Sequence, residues 1–434
     1  MSAPVRVHDL LGVGIGPFNL GLAALLDGVA GVDALFVDEH ERFSWHPGLM
    51  LEGTTTQVPF LADLVSLVDP TSPHSFLNYL RVHDRLLRFY LRERFHLPRR
   101  EYDHYCGWVA ERLPTCRFGT RVEALRWLPG EALFEADLHD VASGRPRRLR
   151  SSHVVLGVGT VPYVPEALAA APGPDLVHAA DYLPNRERIR RAGSVVVVGS
   201  GQSGAEVFLD LLREQPAHGY RLTWITRSAG FLPMEYTRLA LEHFSPEYTR
   251  YFHGLAPEVR DRLLPTQDLL SKGIDAETIE EIYGLLYERS AAGVEPAVEL
   301  RPHLAVEGVE REGGSLRLRC RQWEQGRELR VTAGCAVLAT GFATRPPACI
   351  EELRGLIDWD GAGRYRVGLD YRVAMDPSVT GSLFVQNAEL HTHGVGAPDL
   401  GLGAHRGARI VNEICGREVH RLPRRTVVTE FGVA

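Results

Sequence analysis

Six cysteines in 434 residues, at positions 106, 116, 320, 335, 349 and 415, never fall in a Cys-x-x-Cys spacing. Their scarcity and scatter argue against a disulfide frame, a zinc ribbon and a dithiol reductase, and predict reduced thiols. No run of about 18 apolar residues occurs, and no basic stretch precedes an apolar one at the amino end. Neither a membrane span nor a signal peptide is expected, and the expected compartment is the cytoplasm. Excess positive charge is missing too. A net charge of −7 argues against nucleic acid as a partner, and the basic stretches 145–150 and 421–425 read as solvated faces. No nucleophile triad stands out. His391 and His393 alternate on a loop, a spacing with many other uses, so no metal ion is expected. No repeat of solenoid length appears. What remains, 44% apolar and 24% charged, describes a globular chain too long for one core.

What the chain does have is two glycine turns between strand and helix. Gly12-Val13-Gly14-Ile15-Gly16-Pro17 follows Leu10-Leu11 and leads into Leu20, Leu22, Ala23, Ala24 and Leu25 at helical spacing. Gly12 allows a tight turn, and Gly14 lets backbone approach a pyrophosphate. The anion then rests on the free N–H groups at the helix start. Pro17 replaces the usual third glycine and suits a first helical turn, where its missing N–H costs nothing. Leu35-Phe36-Val37 reads as strand two, with Asp38 placed for a ribose hydroxyl. The second turn, Gly199-Ser200-Gly201-Gln202-Ser203-Gly204, follows the β-branched run Val195 to Val198. The strand after it ends in Arg227, a base, which favours the 2′-phosphate of NADP over the bare hydroxyl of NAD.

The expected fold is α/β with two Rossmann-like dinucleotide domains, the second inserted into a split first, plus a small helical substrate region. The first domain comprises residues 1–190, carrying an aromatic insertion at about 41–112, and 336–434; the second comprises 191–335. Helices are expected over Ser75 to His83 and 99–112, and a helical, polar stretch over Glu247 to Tyr287. A glycine-rich loop from Gly394 to Gly403 precedes a closing helix.

Beyond the glycine turns, the chain carries Trp45-His46-Pro47-Gly48, Gln57 to Asp63, Asp69 to Phe76, Phe231 to Tyr236 and Ala339-Thr340-Gly341-Phe342. Together these span most of its length and resemble the flavin-dependent amine N-hydroxylases of siderophore biosynthesis, which act on lysine, ornithine or diamines. The resemblance implies FAD at the first turn, NADPH at the second and O₂ as co-substrate. It implies a C4a-hydroperoxyflavin whose distal oxygen passes to a terminal amine. It assigns the FAD phosphates and ribose to Gly12, Gly14, Gly16, Pro17 and Asp38. Gly199, Gly201, Gln202, Ser203 and Gly204 take the NADPH pyrophosphate, and Arg227 the 2′-phosphate. Trp45, His46 and Gln57 are the implied catalytic residues, bordering flavin and nicotinamide. Thr340, Gly341, Asp399, Leu400 and Gly401 complete the flavin site, with the C-terminal loop closing over it. Relatives imply a homo-oligomer, tetramer or dimer.

The departure from that family lies where a substrate carboxylate would be held. Lysine and ornithine enzymes carry a lysine at the position of Ala62, and the ornithine enzymes an asparagine near Leu270. An anion buried there unpaired would cost about 3 kcal/mol or more. Gln57, Ala62 and Leu270 are therefore the expected substrate pocket, and a diamine, cadaverine or putrescine, the expected substrate. The alternative is an L-lysine N6-hydroxylase, should Lys272 or Arg238 reach in. Asp63, Glu235 and Asp268 are candidates for the distal ammonium. Other flavin monooxygenases of the same architecture, a flavin reductase and a non-enzymatic flavoprotein remain as remote alternatives. The Phe-x-Gly-x-x-x-His-type fingerprint of the sulfur-oxidising and Baeyer–Villiger enzymes is degraded here to Gly173, His178 and Tyr182.

Overall fold

The computed structural model describes residues 6–433. Two sheets carry the two glycine turns. In the first, Val7–Val13 lies between Ala34–Val37 and Pro146–Leu156, parallel to both. Pro146–Leu156 changes partners along its other edge. Its beginning pairs antiparallel with Leu133–Asp140, and its end pairs parallel with Ser382–Val385. The chain thus returns near its carboxyl end to complete the sheet it began.

Alternation sorts the side chains of these strands into two layers. Leu10 and Phe36 point into a core with the helices Pro17–Leu26, Arg99–Arg112 and Gly403–Cys415. Leu11, Val13, Leu35 and Val37 point into the opposite core, with Trp127, Phe134 and Tyr365. Each such side chain, once fully buried, contributes roughly 1.5–3 kcal/mol.

The second sheet is parallel throughout, in the order Leu176–His178, Cys335–Leu338, Ser194–Val198, Arg221–Ile225, Val298–Arg301. Its central strand shows the same period. Val195 and Val197 pack under the helix Gln202–His218, whereas Val196 and Val198 pack against an antiparallel meander, Leu304–Glu312, Ser315–Gln322 and Arg327–Ala333. The sheets change hands somewhat outside the expected joints at 190/191 and 335/336. Leu176–His178 belongs to the second sheet because Cys335–Leu338 offers it an open parallel edge, and Cys335–Leu338 itself spans the second joint.

The aromatic insertion folds onto the first sheet. Ser75 caps the helix Phe76–Val82, its hydroxyl accepting from the Asn78 N–H at 3.3 Å. Phe60, Phe76, Phe89 and Tyr105 meet edge to face, with centroids 5.2 to 5.5 Å apart. One helix here, Leu86–Arg92, was not expected, because its apolar residues run nearly consecutively and none of them is buried. The polar stretch from 247 to 287 is broken into Pro246–His253, Pro257–Leu263, Asp268–Ser271 and Ala276–Ser290. Pro246, Pro257 and Pro265 each stand at the start of a new helical segment, where proline is tolerated, and cannot continue the one before. All six cysteines are free thiols. Among the described residues no helix is long and apolar enough to cross a membrane.

Candidate functional site

The first glycine turn is shaped by what presses on it. A Cβ on Gly12 would lie 2.0 Å from the Phe36 ring, and one on Gly14 2.6 Å from the Gly157 carbonyl oxygen. Gly14 also has φ +87°, where a side chain is strained in any case. Asn19, wholly buried, ties the turn together. Its Nδ2 donates to the carbonyls of Val13 and Gly14, and its Oδ1 accepts from Gln386 Nε2 at 2.7 Å. Asp38 braces the same turn. One carboxylate oxygen accepts from the Ile15 N–H at 2.7 Å, and the other from the His40 N–H at 2.9 Å.

The second turn repeats the construction. Gly199 has φ +120°, and a Cβ there would lie 2.1 Å from the Ala339 carbonyl; one on Gly204 would lie 2.3 Å from the Gly199 carbonyl. Trp224 Nε1 donates to the Gly199 carbonyl at 2.7 Å. Both turns open helices, Pro17–Leu26 and Gln202–His218, that begin without a side-chain cap and without an acidic residue in the first turn. Helix starts of this kind leave N–H groups and dipole to an anion.

Beyond the second turn lies a cavity of about 590 Å³. It brings Gly199, Gly201, Gln202, Ser203 and Arg227 together with Gln57, Thr340 and Gly341. Arg227 makes no ion pair among the described residues, so its guanidinium is available to a phosphate. The Gln202 side chain is otherwise committed. Its Nε2 donates to Glu206 at 2.9 Å and its Oε1 accepts from the Asp275 N–H at 2.7 Å, leaving only its backbone for the ligand. Gln57 Nε2 is buried with no hydrogen-bond partner, a donor waiting for an acceptor on the cavity wall. Uncapped helix starts, an available arginine and an orphaned amide fit a phosphorylated dinucleotide.

His46 approaches this cavity only through Phe342, and Trp45 packs into the core of the first sheet; neither lines the cavity. His46 is held left-handed at φ 49°, which sets its ring 5.8 Å from Phe342 on the cavity wall. Its outer face is open, but the protein packed around the rest, and then the Arg99 charge, push the imidazole pKa down to about 4. It is neutral at physiological pH. The Trp45 ring packs edge-on against Tyr102 at 4.9 Å, and its backbone N–H donates to Asp103 at 2.6 Å. A Cβ on Gly48 would fall 1.7 Å from the Ala180 carbonyl, so this loop is wedged against the joint between the two sheets.

The C-terminal loop, Ala62 and Leu270 are not among the residues that line that cavity. Asp399 caps the turn Leu400–Leu402, accepting from the Gly401 N–H at 2.7 Å, and a Cβ at Gly401 would touch Ala62 at 3.9 Å. Burial lifts the Asp399 carboxyl to about 6, against the pull of the Gly401 N–H. Leu270 packs with Tyr248, Phe252 and Val395, so the two expected pocket residues flank opposite ends of the same loop. Arg406 anchors that loop from below. It pairs with Glu389 at 2.9 Å, both side chains being 1% exposed or less, donates to the Ala397 carbonyl, and lies over the Phe18 ring at 4.5 Å.

Of the carboxylates considered for a distal ammonium, Asp63 is committed internally. It accepts from the N–H groups of Val65, Ser66 and Phe76 and from the Ser66 hydroxyl. Glu235 accepts from the Thr237 N–H at 2.8 Å, and Asp268 pairs with Lys272 at 2.7 Å. Among the described residues, no group of three or more His, Cys, Asp or Glu side chains is placed to hold a metal ion. Sequence reasoning missed Asn19 as a structural tie, although it stands inside the first motif. It also missed Arg99, Arg406 and Glu389, whose partners lie far along the chain.

Comparison with known proteins places this geometry in context. The family described as L-lysine 6-monooxygenase/L-ornithine 5-monooxygenase matches residues 6–344. The rhizobactin siderophore biosynthesis protein RhbE of Rhizobium meliloti (strain 1021) is 44% identical over 98% of this chain and 95% of its own length. A putrescine N-hydroxylase of Shewanella oneidensis is 39% identical, covering 98% of this chain and 84% of its own. The crystal structure of DfoA bound to FAD, a cadaverine monooxygenase of the desferrioxamine pathway of Erwinia amylovora, superposes with a TM-score of 0.95. That pair is 40% identical, and the match covers 99% of both chains.

If Gly14 is the point where backbone must meet both Gly157 and a pyrophosphate, Gly14→Ala should lower stability by about 2 kcal/mol or more. It should also leave the protein colourless after gel filtration with FAD. Denaturant unfolding and visible absorbance check both.

Proposed function

The chain belongs to the L-lysine 6-monooxygenase/L-ornithine 5-monooxygenase family, and on that premise we propose that it is an FAD- and NADPH-dependent N-hydroxylase of an aliphatic diamine, cadaverine or putrescine, serving hydroxamate siderophore synthesis. The observation that carries the diamine is Ala62, a buried methyl beside Gly401 at the position where the lysine and ornithine enzymes carry a lysine. Arg406 is already paired with Glu389, and Lys272 with Asp268 on the dinucleotide cavity. A methyl group tolerates a diamine and penalises an amino acid.

Bound FAD and NADPH supply the electron and oxygen transfer; the chain binds, orients and dries. Gly12, Gly14, Gly16 and Pro17 hold the FAD phosphates at a helix start, while Asp38 both braces that turn and presents acceptors to the ribose. Backbone at Gly199 to Gly204 holds the NADPH pyrophosphate, with Arg227 on its 2′-phosphate. Gln57 turns its orphaned amide toward the place where the two nucleotides meet.

The substrate nitrogen has to arrive uncharged, from an alkylammonium pKa near ~10.4. His46, at about 4, is not the base that achieves this. His46 is instead a neutral residue beside Phe342, and burial of the amine away from carboxylates favours its free form.

The homo-oligomer, dimer or tetramer, is placed on the Leu86–Arg92 helix. Leu87, Tyr90 and Leu91 are 67%, 71% and 68% exposed. A seven-residue helix that turns only Phe89 toward the core is marginal on its own. An antiparallel second copy packed across its midpoint would bury the stripe.

Three outcomes are expected. Measured side by side as NADPH-dependent hydroxylamine formation, cadaverine and putrescine should exceed lysine and ornithine about tenfold or more in kcat/KM; lysine ahead of both diamines overturns the substrate. Ala62→Lys should lower diamine kcat/KM by about tenfold and raise that of lysine or ornithine, by restoring the missing counter-charge. Light scattering should find wild type as a dimer or tetramer and Leu87→Glu/Leu91→Glu as a monomer; a monomeric wild type overturns that interface.

A further inference from the structure

Arg99 begins the helix Arg99–Arg112, and its guanidinium grips Glu206 with two bonds of 2.7 Å. Both side chains are nearly enclosed, 12% and 4% exposed. The same residue holds the stretch between His46 and Gln57. Its Nη1 reaches the Leu49 carbonyl at 3.4 Å, and its backbone N–H donates to the Thr54 carbonyl at 3.0 Å. Glu206 lies one turn into Gln202–His218, the helix that opens at the second glycine turn. Gln202 extends the connection, donating to Glu206 and accepting from the Asp275 N–H. A single planar, two-pronged contact therefore links the strand-and-loop stretch that carries the flavin-side residues to the helix that opens at the dinucleotide turn.

Resting on the reading above of which nucleotide each turn takes, we infer that Arg99 is a positioning residue for hydride delivery: through Glu206 it fixes the spacing between the His46–Gln57 stretch and the Gly199 turn. The physical ground is the tolerance of the step. Reacting atoms must come within about 3–3.5 Å, and a misplacement of about 1 Å costs on the order of 10²-fold in rate. A guanidinium–carboxylate fork constrains both distance and plane, which an ammonium does not. Burying such a pair adds little stability over apolar side chains of the same size, so orientation is what it supplies here. Arg99 has a second effect, since its charge helps keep His46 neutral.

Removing one partner alone would strand a buried charge, so the test uses Arg99→Met/Glu206→Met, which keeps the volume and removes both charges, beside Arg99→Lys. In cofactor-free protein, backbone amides in the first two turns of Gln202–His218 should exchange about tenfold faster in the double variant. In anaerobic stopped flow, the limiting rate of flavin reduction by NADPH should fall about tenfold or more in both variants, with NADP affinity changed less than about threefold. Unchanged exchange together with reduction within about twofold of wild type overturns the inference, and so does a loss confined to NADP affinity. The exchange comparison needs neither cofactor nor substrate. A wild type that forms no N-hydroxy diamine would therefore count against the proposed activity while leaving the latch to be judged by itself.

Discussion

A carbonyl oxygen pressed against each glycine turn is the constraint on which the molecule is built. The Gly157 carbonyl crowds Gly14, and the Ala339 carbonyl crowds Gly199, each closer than any side chain would permit. In both cases the crowding residue sits at or just past the end of a neighbouring parallel strand. Neighbouring strand ends and helix start converge there, leaving bare backbone where a phosphate must approach. The two halves solve the same problem with the same device: Gly14 and Gly199 each follow the last strand residue, Gly16 and Gly201 each precede the helix, and in that register the counterpart of Gly204 is Asn19 and not, as the sequence suggested, Pro17.

Around these two points the chain adds what a plain pair of nucleotide domains lacks. The aromatic insertion sets Gln57 on the cavity wall beside the second turn and His46 against Phe342, and the C-terminal loop sets Gly401 beside Ala62. Neither segment is held by regular pairing alone. One is fastened by Arg99 to Glu206, and the other by Arg406 to Glu389, Ala397 and Phe18. Both fastenings are buried ion pairs, which are poor sources of stability and good sources of unique geometry. That suits segments whose task is to hold a small amine at a set place in a dry site.

The electrostatic character of the site follows from the same enclosure. Packing pushes His46 down to about 4 and Asp399 up to about 6, each toward its neutral form. An environment of this kind favours an uncharged nucleophile. The absence of a lysine at position 62 removes a counter-charge for the α-carboxylate of an amino-acid substrate.

Read as a string, the chain already showed both strand-turn-helix units, because glycine spacing and apolar periodicity are local properties. The helices expected over 99–112 and from Ser75 and the substitution at Ala62 were legible for the same reason, and the split first domain followed from the order of the strands. What the string did not show depends on residues distant in sequence and adjacent in space. Arg99 and Glu206 are separated by 107 positions, and neither carries a local signal that it has a partner. Asp38 reads as a ribose ligand by spacing, yet only the folded turn reveals that it also braces the Ile15 N–H. Asp63 looks like an available carboxylate until its four donors are seen. Local sequence determined which chemistry the chain can hold. Tertiary structure alone decided which charges were left free to perform it, because a polar group's availability is settled by the neighbours that burial brings to it.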